Sequence, residues 1–199
     1  GFDACDDWTL LEASLVRYFG WSQEHDDFKL RDAELEFNIQ FEQATSKTKF
    51  ILNGFIDGIV EEKDSLWILE NKFYKKMQEP SDMDTQVSIY MLAARALSYG
   101  VQGVIYNMVR VADTKIAVTE PVMRKRLYKN LSGLEKIEHE IVSQAKDMIK
   151  YTKEGGDPYR NVTKDCSWDC NFYQACLSMD DDGEEPSKIL EQLSKQGDK

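Results

Sequence analysis

Between Glu34 and Phe41 the chain alternates: Leu35, Phe37, Ile39 and Phe41 are interleaved with Glu34, Glu36, Asn38 and Gln40. A period of two predicts a half-buried strand. Upstream, Trp8, Leu11, Leu15, Tyr18 and Phe19 recur at helical spacing, so residues 7–21 predict a helix that ends near Gly20, followed by a polar, loop-like stretch over 22–31. Downstream, 47–59 and 65–73 continue as strands, giving an antiparallel meander with turns near Thr45-Ser46 and Lys63-Asp64. Pro80 stops the next connection, and Asp82 or Asp84 caps a helix through Val87, Met91, Ala94 and Leu97 that ends at Gly100. Residues 101–111 and 115–119 predict two more strands, and a long amphipathic helix after Pro121 runs to about Lys153, where Gly155-Gly156-Asp157-Pro158 breaks it. A cysteine-bearing loop follows, and the tail from Pro186 to Lys199 reads as a short polar helix or disordered. No internal repeat is present.

Helix, antiparallel strands, helix, strands, helix is the order of an α/β (α+β) domain with a mixed central sheet flanked by helices. At 199 residues, 42% hydrophobic and 11% aromatic, the chain fits one globular domain with a sizeable core. The net charge of −11 argues against a broad basic coat for indiscriminate nucleic-acid binding but leaves room for a local basic groove. No apolar run reaches the roughly 18 residues of a membrane span, and the start lacks a basic region followed by a hydrophobic segment. These features point away from a membrane and toward a cytoplasmic protein. The chain opens on Gly1 rather than Met, which suggests a processed, tagged or truncated start.

The candidate chemistry lies in Gly54-Phe-Ile-Asp57-Gly58 and Leu69-Glu70-Asn71-Lys72, on two strands hydrophobic enough to be buried. Asp57 and the Glu70/Lys72 pair belong there only if something compensates their charge, and a divalent cation is the natural partner. The spacing lets one strand end, turn and return beside the other, so both carboxylates can share an ion. Hard oxygen ligands suit Mg²⁺ or Mn²⁺, with the Asn71 carbonyl able to add a further oxygen. Lys72, two residues past Glu70, projects from the same face. Gly54 and Gly58 flank Asp57 and allow close approach. Gln86 and Tyr90, one turn apart on the following helix, form a polar pair on an otherwise apolar face. Taken alone, an Asp in one strand and Glu-x-Lys in the next also fit an edge-strand salt bridge.

The ordered set Gly-Phe-Ile-Asp57-Gly, Leu-Glu70-Asn-Lys72, Gln86-Val-Ser-Ile-Tyr90 resembles the PD-(D/E)XK nuclease superfamily, in its RecB-like and Cas4-like branch, over roughly residues 30–176. The resemblance implies a restriction-endonuclease-like core in which Asp57 and Glu70 hold the metal, Lys72 assists the nucleophile, and Gln86 and Tyr90 contact substrate and metal water. It implies a DNA exonuclease acting on single strands or free ends, in recombination, phage DNA processing or CRISPR adaptation with a partner protein. The expected organisation is one nuclease domain over 1–180, made of a helical part (1–30), the core (31–154) and a cysteine staple (158–180), with a polar tail over 181–199.

Cys166, Cys170 and Cys176 stand at C-x₃-C-x₅-C, and Cys5 lies at the other end of the chain. Clustering of this kind favours a metal over disulfides, with a [4Fe–4S] centre first and zinc as the runner-up. The Cas4-like and AddB-like branch, like similar phage-encoded exonucleases, has one cysteine before the core and three after it. There the first cysteine precedes a helix with a metal-binding His. In this chain the 7–21 helix has none, His25 falls in the loop beyond it, and His139 reads as solvated. Either Cys5 and His25 serve, or the family's first ligands lie upstream of Gly1, in which case the cluster has three ligands here. Trp168, between two of the cysteines, is expected to pack over the cluster.

Lys72, Lys75, Lys76, Arg95, Arg110, Arg124, Lys125 and Arg126 are available for phosphate, and Tyr74, Trp67 and Tyr90 for base stacking. Two other classes of function remain open: a non-catalytic nucleic-acid-binding subunit that keeps the fold, and a zinc or redox protein whose cysteines are the function.

Overall fold

The structure is a computed structural model that describes residues 4–42, 49–77, 79–112, 115, 117–154, 162–163, 166–178 and 188. The alternating stretch becomes β1 (Lys29–Glu42), the outer strand of a five-stranded sheet completed by β2 (Lys49–Glu62), β3 (Ser65–Tyr74), β4 (Val101–Arg110) and β5 (Val122–Leu127), side by side in chain order. β1, β2 and β3 are antiparallel neighbours, β3 and β4 are parallel, and β4 and β5 antiparallel, so the sheet is mixed. The parallel step needs a crossover, supplied by α2 (Thr85–Ala96). Asp84 caps that helix, its side chain accepting from the backbone N–H groups of Gln86 and Val87 at 2.8 and 3.2 Å. The β2–β3 hairpin turns on Lys63 and Asp64, both at positive φ (48° and 62°), the two-residue geometry that suits the strand twist.

The principal core fills the face of the sheet under α2: Phe37, Ile56, Ile59, Ile68, Val104 and Met108 meet Val87, Tyr90, Met91 and Ala94, with Leu134 closing it from α3 (Leu131–Glu154). On the opposite face Val60, Trp67, Leu69 and Ile105 form a smaller cluster with Phe28. The chain divides into two compact units, Gly1–Lys146 and Asp147–Lys199. The second holds two short helices, α4 (Cys166–Asp169) and α5 (Tyr173–Ser178), among its described residues.

Three expected elements are corrected. The first helix, α1 (Ala4–His25), runs past Gly20 to His25, whose ring stacks on Trp21 one turn earlier at 4.4 Å; His25 therefore ends a helix rather than lying in a loop, and β1 already begins at Lys29. Lys115 and 117–119 are not strand. The segment after Pro121 forms β5, not the start of the long helix. Its Met, Arg, Lys and Leu favour helix intrinsically, but β4 is buried from Gly103 to Val109 and needs a partner for its outer row of backbone groups. The long helix begins only at Leu131. The turn at Thr45-Ser46, the Gly155–Pro158 break and, apart from Lys188, the tail from Pro186 lie outside the described residues.

Candidate active site

Alternation along β2 slips at Asp57. Ile56 and Ile59, three apart, both enter the core under α2, where strict alternation would put one of them on the opposite face. β1 slips at the same level: Asp32 accepts from the Tyr99 hydroxyl (2.7 Å) on the side where Leu35 also packs, and Glu34 between them sits at φ 50°. Left-handed backbone at a non-glycine residue inside a strand is costly and locally specific. The β2–β3 ladder ends at the Gly58–Leu69 pair, so Asp57 and Glu70 are the first residues beyond it. From there β2 pairs only with β1, and β3 only with β4. Asp57 Oδ2 spans the divergence and accepts a long 3.4 Å contact from the Asn71 backbone N–H.

Glu70 is 1% exposed. Its Oε1 lies 2.7 Å from Lys72 Nζ in an ion pair that lacks hydrogen-bond alignment, and neither carboxylate oxygen has a hydrogen-bond partner among the described residues. Burial pushes its pKa from 4.5 to about 7; the Lys72 ammonium opposes the rise and Asp57 adds to it. For Lys72 burial favours the neutral amine, but the Glu70 carboxylate outweighs it and holds the pKa above the usual lysine value. Gln86 Nε2 donates to the Tyr90 hydroxyl at 2.8 Å. The Tyr90 phenol is raised first by burial and then by the charges of Glu70 and Asp57, which puts the Gln86/Tyr90 pair within electrostatic reach of the carboxylates. Phe37 packs edge-on against Tyr90, with ring centroids 6.3 Å apart, and covers Gly54, where a Cβ would stand 2.7 Å from its Cζ. Gly54 is thus required by the packing, while Gly58 has ordinary room for a side chain.

Asp57, Glu70, Lys72, Gln86 and Tyr90 therefore gather at one level of the sheet, with the Asn71 peptide between the acid and the lysine. The donors fit a hard cation: two carboxylates, one of them buried with no hydrogen-bond partner among the described residues beyond its ion pair with Lys72. No three His, Cys, Asp or Glu side chains converge among the described residues, so a bound cation would need carbonyl, water or phosphate oxygens to complete its shell.

Other expected residues lie elsewhere. His25 Nδ1 is 2.8 Å from the Trp21 carbonyl, and His139 is exposed on α3. Arg124 pairs with Asp26 (2.6 Å), Lys125 holds Asp82 (3.1 Å) and the Pro80 carbonyl (3.3 Å), and Arg126 pairs with Glu62 (2.8 Å) over the buried Trp67 ring. These partners commit the three cations and Trp67 to the fold. Tyr74 hydrogen-bonds through its hydroxyl to Tyr106, the residue beside Glu70 on β4. Tyr106 escaped the sequence reading, as did Asn107, whose signal was one amide in an apolar run, Val104-Ile-Tyr-Asn-Met-Val109.

In the second unit Cys166, Cys170 and Cys176 are each half-buried, and the Thr163 backbone N–H donates to Cys166 Sγ at 3.3 Å. Among the described residues the three thiols do not form a metal-binding group, and the side chains of Cys5 and Trp168 lie outside those residues.

A mixed sheet flanked by helices, with a carboxylate pair where its strands diverge, defines a restriction-endonuclease-like fold. The profile of the PD-(D/E)XK nuclease superfamily matches residues 6–177, and the chain belongs to that superfamily. Its members are nucleases that use divalent metal ions such as Mg²⁺ or Mn²⁺. Among solved structures the chain is similar to the crystal structure of SSO0001, at 9% identity and a TM-score of 0.44, over 77% of this chain; it spans 62% of the length of that one. No curated protein sequence matches it. No helix among the described residues is long and apolar enough to cross a membrane.

Proposed function

We propose that this chain is a cytoplasmic, RecB-like or Cas4-like DNA exonuclease acting on single strands or free ends, with Asp57, Glu70 and the Asn71 carbonyl holding Mg²⁺ or Mn²⁺. The observation that carries the proposal is the Glu70 carboxylate, buried beside Asp57 and Lys72 with both oxygens lacking a hydrogen-bond partner among the described residues. The Lys72 ammonium offsets part of the cost of burying that charge, and a metal ion would offset the rest. When bound, the metal supplies Lewis-acid polarisation of the phosphate and a more acidic water. Lys72, kept protonated by Glu70, neutralises charge that develops on the phosphate oxygens. Gln86 and Tyr90, joined by their hydrogen bond, orient substrate or water from α2.

The exonuclease character and the branch are supported by the order and spacing of the motifs, and the processes that fit are recombination, phage DNA processing and CRISPR-type adaptation. The same resemblance supports one nuclease domain over 1–180 and a [4Fe–4S] centre on the cysteines, for which spacing is the only support. A time course on end-labelled single- and double-stranded DNA with Mg²⁺ or Mn²⁺ tests the proposal. Shortening from one end by wild type, abolished in Lys72→Ala, is expected. Metal-independent cleavage contradicts it, and undetectable cleavage contradicts it in favour of a binding subunit that keeps the fold.

A further inference from the structure

On the face of the sheet away from Glu70 and Lys72, three strands carry a row of polar side chains in register: Asn71 on β3 is level with Asn107 on β4, and Asn107 with Arg124 on β5. Asn107 is fully buried. Its Nδ2 donates to Asn71 Oδ1 at 2.9 Å, and its Oδ1 accepts from Arg124 Nε at 2.7 Å. Arg124 is itself anchored, its Nη2 2.6 Å from Asp26 Oδ1 and its guanidinium 4.7 Å above the Trp21 ring. An apolar side chain would fit this strand without needing partners, whereas a buried amide is tolerated only when its bonds are made.

The inner end of the row is the residue between Glu70 and Lys72. Past the end of the β2–β3 ladder, Asn71 meets β2 only through the long contact from its N–H to Asp57. Its peptide is therefore set mainly from the β4 side, and rotating that peptide would swing Glu70 and Lys72 together.

We propose that Asn107 is a positioning residue for the metal site, acting through Asn71 to fix the peptide that carries Glu70 and Lys72. This rests on the nuclease reading of the Asp57/Glu70 site. Residues one step behind a metal's ligands typically affect affinity by about 10- to 100-fold. A purely structural amide would lower thermal stability and leave the metal affinity of the folded protein alone.

The test is Mn²⁺ affinity, measured by electron paramagnetic resonance titration of the full chain without DNA, with a melting curve for each variant. Asn107→Ala, the volume-keeping Asn107→Leu, and Asn71→Ala, which breaks the link from its other end, should each bind Mn²⁺ about tenfold more weakly while folded. Asn107→Ala should add less than about twofold in an Asn71→Ala background, the non-additivity expected of a single pathway. Wild-type affinity in the folded variants overturns the proposal, and so does a full additional loss in the double variant. Asp57→Ala separates the two levels. If it loses Mn²⁺ while the Asn107 variants do not, only the positioning role fails. If it binds Mn²⁺ like wild type, the site reading fails and the positioning role falls with it.

Discussion

Glu70 stores the site's tension. A carboxylate with a folded pKa of about 7 against an ordinary 4.5 binds its proton more tightly when folded than when unfolded. The metal-free protein should therefore lose stability as pH rises from about 4.5 through about 7, and level off above. Glu70→Gln removes that slope. At pH 8 without divalent cations it should be more stable than wild type by on the order of 3 kcal/mol, as read by denaturant titration. A wild type at least as stable as Glu70→Gln under those conditions would show that burial does not strain the carboxylate. Glu34 carries a different cost, in its backbone. Glu34→Gly should leave stability unchanged or raise it by up to about 1 kcal/mol, whereas Glu34→Val, β-branched and intolerant of positive φ, should lower it by more than that. Equal melting temperatures for the two would contradict the left-handed geometry. The sequence disclosed the charges of Asp57, Glu70 and Lys72 because they interrupt apolar strands. It did not disclose Glu34, since an exposed glutamate in a strand has no compositional signal for its backbone angle.

At the level of elements, β1 to β4 and α2 were legible because each has a clear period and a turn or cap at its end. β5 was not. Its helix-favouring composition is overridden by pairing with β4, a long-range requirement invisible in a local window. Gly20 resembles a stop in the sequence, yet a Cβ placed there would meet nothing within 4 Å and the helix continues through Trp21 to His25. α2 carries Gln86 and Tyr90, so its start matters to the site. Asp84→Ala removes acceptors for two backbone N–H groups and should cost about 1 kcal/mol, a fall of roughly 2–4 °C in melting temperature. An unchanged melting temperature would mean that the cap contributes nothing.

For the whole molecule, a net charge of −11 means that the proposed DNA substrate would have to be attracted by local cations. Lys72 is tied to Glu70, and Arg124, Lys125 and Arg126 are tied to acids, so under the proposed function phosphate binding at the site should depend on the metal more than on these four cations. The sequence showed Arg124, Lys125 and Arg126 but not their partners, which lie far away along the chain, whereas Lys72 stands two residues from Glu70. In the second unit, metal analysis of protein purified without oxygen decides the cysteine proposal. Iron with a brown visible absorption supports the cluster, and stoichiometric zinc without iron rules it out. If Asp57 and Glu70 form the metal site of a DNA-cleaving enzyme, as proposed, the Mn²⁺-dependent rate of single-stranded DNA cleavage must distinguish wild type from Asp57→Ala. The rate should fall by at least about 100-fold in the variant, whereas equal rates would contradict the claim.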